Sequence, residues 1–297
     1  MAIAIGIICA CIAMIGWGVG DYLIQRTSRS LGDWETLFFI SIFGAIVIYP
    51  FIDSEVAQLF VHPDMRLLFL CAASLVLLVA ALLEFESLKK GKLVVVEPLY
   101  ALEIPVSGLL AFFFLAEKIS FGQVALVILL IIGLVLVSIR STRLKHIFSR
   151  TGAKLWLEKG VRIAILSTIC MGAVNFLFGV GARQTSALMI NWFTDAFLAV
   201  ACLAYLVFAR KTHALSVDIM KNRWTVLTMC FFDTIAWIAF AYAVKLAPIS
   251  ISVALSQSYI IITILFGMFV NKENIKTHQK IGLILSIVVA ILLAASF

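Results

Sequence analysis

Ten apolar stretches separated by short polar segments run along the chain, at approximately 3–25, 35–52, 66–88, 93–116, 119–139, 162–182, 187–209, 224–244, 248–270 and 277–296. Each is near the roughly 20 residues that a helix needs to cross a hydrocarbon core of about 30 Å. Strands are not expected, because the runs are about twice the length of a barrel strand and apolar and polar residues do not alternate along them. The pattern predicts an all-α integral membrane protein with ten transmembrane helices. The first run lacks a basic leading region and is too long for a cleaved signal peptide, so it is expected to be a span.

Composition narrows the picture further. Hydrophobic residues make up 63% and charged residues 13% of the 297 residues, with a mean hydropathy of +1.13, which leaves too little polar surface to cover a water-soluble globule. All six cysteines lie in predicted spans without a Cys-x-x-Cys pair and read as small packing residues, while the four histidines lie in loops or, for His278, at the very edge of the last run. No metal site, cofactor or Ser-His-Asp arrangement is therefore expected at membrane depth. The chain also lacks a Gly-x-x-x-x-Gly-Lys-Ser/Thr loop, which argues against ATP-driven pumping.

The formal charge of +7 does not indicate a nucleic-acid partner, because the basic residues sit in short loops between spans. Only Arg66, Lys118, Arg183 and Lys245 fall on the face shared by both termini, and the other 19 of the 23 Lys and Arg residues fall on the opposite face. The positive-inside rule makes that opposite face cytoplasmic and places both termini outside. The expected partners are a small-molecule substrate, protons and membrane lipids; the pattern specifies no oligomeric state.

The chain also matches itself at an offset of 156, which superposes Lys89 on Lys245, Glu117 on Glu273, Gln123 on Gln279 and Gly16 on Gly172. Two repeats result, 1–150 and 151–297, each with five spans. An odd number of spans forces the second repeat to enter the membrane from the opposite side, the inverted plan of many secondary transporters, whose sites lie near the midplane.

Three segments carry a family resemblance: GWGVGDYLIQR in the first span, EPLYALEIPVSGLLAFFFLAEKIS across the fourth and fifth, and APISISVALSQSYIIITILFGMFVNKENI in the second repeat. Their order, spacing and duplication resemble the drug/metabolite transporter superfamily, in its ten-helix EamA-like branch. The hallmarks carried over are Trp17 and Gly18, the proline-containing fourth span, and the acidic residues closing the fourth and ninth spans, Glu117 and Glu273. The resemblance implies a small-molecule transporter of the cell membrane with both termini inside, against the charge bias.

Candidate chemistry concentrates in VVVEPLYALEIP, residues 94–105, where two glutamates and two prolines interrupt an apolar run. A charged side chain at the centre of a span costs about 2.5–3.5 kcal/mol on insertion scales, so it is expected to face a cavity or a partner. Glu103 lies eleven residues from the basic edge at Lys92, roughly 16 Å deep and close to the midplane. It is expected to bind a proton, a cationic or amine-bearing substrate, or both in alternation. Glu97 lies near the interface, where gating by pairing with Lys92 or Lys89 and simple snorkelling are alternatives. Around a helix the two carboxylates lie about 120° apart, with Tyr100 on a flank that can approach either. Pro98 and Pro105 lack amide hydrogens and are expected to leave the carbonyls of Val94 and Ala101 open.

Other candidates follow from depth and symmetry. Asn175 occupies the position equivalent to Val19 and is expected to face the site, with interhelical bonding as the alternative. Asp195 and Asp233 lie well inside their spans, and Trp17, Trp237 and Tyr259 either line a cavity or pack. Gly16 and Gly20, at small-x-x-x-small spacing, permit close helix approach and are candidates for a rocking pivot.

The leading expectation is a secondary transporter working by alternating access. Two alternatives of another class remain, lipid scrambling or a non-transporting membrane sensor, and an intramembrane aspartyl protease suggested by Gly18-Val19-Gly20-Asp21. The protease reading lacks its context, since no Tyr-Asp pair precedes that motif and no Pro-Ala-Leu motif follows it.

Overall fold

The computed structural model describes residues 1–90, 99–138, 159–262 and 276–296. Among these residues every regular element is helical: α1 (Ala2–Leu31), α2 (Asp33–Ile48), α3 (Asp53–Val61), α4 (Met65–Lys90), α5 (Glu103–Leu115), α6 (Phe121–Ser138), α7 (Lys159–Gln184), α8 (Ala187–Phe208), α9 (Thr212–Leu246), α10 (Ile249–Ser256) and α11 (Thr277–Ala295). Seven of them, α1, α2, α4, α7, α8, α9 and α11, contain segments long and apolar enough to cross a membrane. Three shorter apolar helical segments, Glu103–Leu115, Phe121–Leu136 and Ile249–Ile262, fall at the fourth, fifth and ninth predicted spans.

Local chemistry sets several of the ends. A single residue, Gly32, joins α1 to α2 at φ +110° and ψ 166°, a conformation open essentially only to glycine. The Ser186 side chain accepts the Met189 amide at 3.0 Å and starts α8. Ala247 is extended after the last residue of α9, as expected for a residue preceding proline.

Two departures from the predicted spans have simple causes. The segment between the second and third spans forms α3, an amphipathic helix that buries Val56 and Leu59 at i, i+3 spacing and leaves Asp53 and Glu55 exposed. Helix α9, at the eighth predicted span, starts at Thr212, before its apolar run, because residues 212–223 contain neither glycine nor proline to stop it.

The chain divides into two compact units, Met1–Leu78 with Leu177–Ala247, and Val79–Phe176 with Pro248–Phe297. Each unit draws on both halves of the sequence, and α4 and α7 contribute residues to both.

In the first unit α1 packs along α9 and α2 along α8, and α9 also meets α2 and α8. The α1–α9 seam is built from small residues. A Cβ on Gly6 would lie 2.9 Å from Ala247 Cβ, and one on Gly16 would lie 2.8 Å from Ala236 Cβ. Lipid competes for apolar surface as well as another helix does, so close backbone approach through small residues carries such contacts. The Arg183 guanidinium donates to the carbonyls of Val244 and Ala247, each at 3.1 Å, and closes the C-terminal end of α9.

In the second unit α6 packs along α11, and α10 packs against α5, with further contacts to α6 and α11. Phe112, Phe113, Phe114 and Phe121 are exposed, an apolar surface that lipid solvates and water does not. The packing of α5 against α10 and α7 positions the candidate site.

Candidate functional site

Two helix breaks meet in the second unit. Leu99 and Tyr100 are helical, Ala101 and Leu102 form a turn, and α5 begins at Glu103. Pro105 occupies the first turn of α5, where its missing amide would have had no intrahelical partner. In the ninth apolar run α10 ends at Ser256, Gln257 and Ser258 form a turn, and helical geometry resumes over 259–262. The Gln257 amide donates to the Val253 carbonyl at 2.8 Å and closes α10.

The carboxylate of Glu103 lies where the breaks face each other, with 3% of the residue exposed. Its Oε2 accepts from Asn175 Nδ2 at 3.1 Å and from Gln257 Nε2 at 2.7 Å. Asn175 and Gln257 are themselves 1% and 5% exposed. Amide N–H groups directed at one carboxylate oxygen form charge-assisted bonds, which offset part of the cost of keeping that group in a low-dielectric interior. Gly172 sets the approach of α7, since a Cβ there would lie 2.7 Å from Val106 Cβ and 3.2 Å from the Glu103 carbonyl oxygen. A carboxylate held in this way can take up and release a proton, or neutralise a cation.

The backbone around the first break is closed rather than open. The Ala101 carbonyl, expected to lack a partner, accepts the Ile104 amide at 3.4 Å because the turn is tightened to i, i+3 spacing. The Leu99 carbonyl accepts the Leu102 amide at 2.9 Å and the Thr168 hydroxyl at 3.4 Å. Glu97, Pro98 and Val94 lie outside the described residues.

A second carboxylate ties α5 to α10. Glu117 Oε1 accepts the Ile249 amide at 3.0 Å, and Oε2 accepts the Ser250 hydroxyl at 3.4 Å. Pro248 precedes α10 and makes no side-chain cap, so Glu117 satisfies a first-turn amide from outside the helix and lies favourably at its positive end. The antiparallel pair α5–α10 is thus bracketed, by Glu103 with Gln257 at one end and by Glu117 with Ile249 at the other. Glu273, the repeat equivalent of Glu117, lies outside the described residues.

The remaining candidates have separate surroundings. The Tyr100 hydroxyl pairs with Ser87 Oγ at 2.6 Å and ties the turn before α5 to α4. Tyr259 follows the second break. Trp17, Trp237, Asp195, Asp233, Gly16 and Gly20 belong to the first unit. There Trp17 and Trp237 meet edge to face at 5.2 Å and pack with Phe178 and Phe240, an aromatic cluster of ordinary core geometry. Asp233 is buried, and Asp195 sits against Gly44, where a Cβ would collide with its Oδ2. The two aspartates are near enough for their charges to interact. Gly16 is limited by backbone contact, whereas a Cβ on Gly20 would have only the Asp233 nitrogen near it, at 3.8 Å. A cavity of about 340 Å³ in this unit, lined by Phe60, Trp192, Phe193 and Val200 among others, has no polar lining residue with which to recognise a polar substrate.

Sequence reasoning missed Gln257, Ser87 and Thr168 as partners. The available signal for Gln257 was its place as an amide inside the apolar run SVALSQSYII. The duplication pointed away from it, because 257 − 156 = 101 pairs it with an alanine.

No curated protein gives a match. A solved structure whose title reads only "Crystal structure of protein" is similar over 98% of this chain and 98% of its own, with 15% identity and a TM-score of 0.76, a likeness of fold. The EamA-like transporter family matches residues 4–139 and again residues 158–295, and with nearly the whole length covered by that doubled match the chain belongs to the EamA-like transporter family.

Proposed function

We propose that this multi-pass membrane transporter of small molecules is a secondary active transporter that moves an organic metabolite or amphipathic compound by alternating access, coupled to protons through Glu103. The observation that carries the reading is a carboxylate 3% exposed at facing helix breaks and held by two amide side chains. Intramembrane carboxylates in transporters belong to ion and proton paths, and discontinuous helices mark their sites. The substrate class favoured by this site is an amine or other cation, which competes with the proton for the same charge. Neither proteolysis nor lipid scrambling gains a comparable observation.

The same reading takes the seven long helices and three shorter apolar ones as ten spans, in two inverted five-helix repeats at 1–150 and 151–297. The doubled family match at 4–139 and 158–295 supports it. The protein resides in the cell membrane with both termini outside, as the distribution of Lys and Arg argues. A cysteine introduced at Ser54, in the first turn of α3, or at His62, just after it, both exposed, is then labelled by an impermeant maleimide on intact cells. Labelling only after permeabilisation reverses the orientation.

Proteoliposomes with a trapped pH indicator test the transport reading. A panel of small amines and zwitterions is added outside, and at least one is expected to drive proton movement that empty liposomes do not show. If a ligand from the panel accumulates to the same level with and without a protonophore, proton coupling is wrong.

A further inference from the structure

The environment of Gln257 carries a consequence that rests on the proton reading of Glu103. Its Nε2 is committed to Glu103 Oε2 at 2.7 Å, but its Oε1 is buried and has no hydrogen-bond partner among the described residues. A buried amide oxygen without a donor is costly, and native interiors rarely retain one without a role. Here the unspent acceptor belongs to the same amide that already faces the carboxylate.

An ionised carboxylate only accepts hydrogen bonds, whereas a protonated one also donates through its O–H. Half a turn about the terminal torsion of a glutamine exchanges oxygen and nitrogen within the same volume. With Glu103 ionised, Gln257 presents its N–H and leaves Oε1 unmatched. With a proton on Glu103 Oε2, the turned amide would accept that O–H and leave Nε2 unmatched instead. Each orientation strands one amide atom, so the two are close in energy and the charge on Glu103 decides between them.

We propose that Gln257 is a positioning residue that reads the protonation of Glu103, donating to the ionised carboxylate and turning over to accept from the protonated acid. A hydronium ion delivers the proton to Oε2 and leaves as water, one O–H bond breaking as the other forms, and no other covalent bond changes. Because Gln257 is the residue at which α10 ends, the turned amide acts on the backbone at a helix break. Asn175 stays compatible with both states, since the oxygen of a protonated acid still accepts an N–H.

Among the described residues, few other titratable groups lie on the elements around Glu103. Helix α10 has none, and α7 brings only Cys170 between Thr168 and Asn175. The flanking turns bring Tyr100, paired with Ser87, and Tyr259, while α4 carries Glu84 and Glu86.

Infrared difference spectroscopy of the full-length protein in liposomes, acid minus neutral, with glutamine side-chain amides isotopically labelled, tests this directly. Wild type is expected to show a protonated carboxyl band together with a labelled amide C=O band shifted to lower frequency. Both bands should be lost in Glu103→Gln, which removes the trigger, and the amide band alone in Gln257→Met. Should Gln257→Met not fold, the Glu103→Gln spectrum still assigns the amide band to that proton. A carboxyl band without a labelled amide band overturns the role of Gln257 and leaves proton binding at Glu103 intact. Absence of the carboxyl band overturns the proton reading itself, and the role of Gln257 with it.

Discussion

Glu103→Gln proteoliposomes are expected to lose proton-driven accumulation of substrate while retaining exchange of labelled for unlabelled substrate. The replacement keeps the volume of the side chain and an oxygen that can accept from Asn175 and Gln257, so the packing of α5 against α7 and α10 is preserved. What disappears is the group that ionises. A difference of one pH unit across the membrane is worth about 1.4 kcal/mol per proton, which sustains roughly a tenfold concentration ratio at one proton per substrate. In the variant that ratio falls to unity, and imposing or collapsing the pH gradient changes nothing. Counterflow measured beside gradient-driven uptake separates this outcome from misfolding, which abolishes both. Gradient-driven accumulation at the wild-type level in Glu103→Gln would remove Glu103 from the proton path.

The second large effect is expected from Gly172→Val. Any Cβ at this position lies 2.7 Å from both Cβ and Cγ1 of Val106 and 3.2 Å from the Glu103 carbonyl oxygen, and valine adds two methyl groups to it. Overpacking of this kind costs about 1–3 kcal/mol, here by pushing α7 away from the start of α5. Asn175, one turn further along α7, moves with it, so its 3.1 Å bond to Glu103 lengthens or breaks. The variant should unfold several degrees below wild type in detergent and transport poorly. Gly20→Ala serves as the contrast, because its new Cβ meets nothing nearer than 3.8 Å. Equal thermal stability of Gly172→Val and wild type would show that the α5–α7 contact is looser than its geometry requires.

The seven long apolar helices were legible because bilayer thickness dictates the length of an apolar run, and that constraint is local to each run. The amphipathic α3 was not, since nine residues of mixed polarity read equally well as a loop until Val56 and Leu59 find something to cover. Counting depth from Lys92 singled out Glu103, and the repeat offset singled out Asn175; the two side chains lie 3.1 Å apart. Helical periodicity placed Tyr100 on a flank that can approach either glutamate, and its hydroxyl pairs with Ser87 of α4, a partner on another helix that periodicity cannot name. The Ala101 carbonyl differed because an ideal helix with a proline leaves it open, whereas a tightened turn supplies the Ile104 amide.

Composition, run length and spacing are enough to establish the membrane as the solvent of this protein, the helical class of its segments and the doubled family pattern. These quantities do not require knowing which helix lies beside which. The partners of the Glu103 carboxylate come from packing between helices distant in the chain. Gln257 lies 154 residues from Glu103 and Asn175 lies 72 residues away, and their convergence depends on two helix breaks and on a glycine that lets α7 approach α5. Hydrogen bonding is short-ranged and directional, so which amide reaches Oε2, and which amide oxygen is left without a donor, is set by packing over ångströms and leaves no periodic trace in the chain.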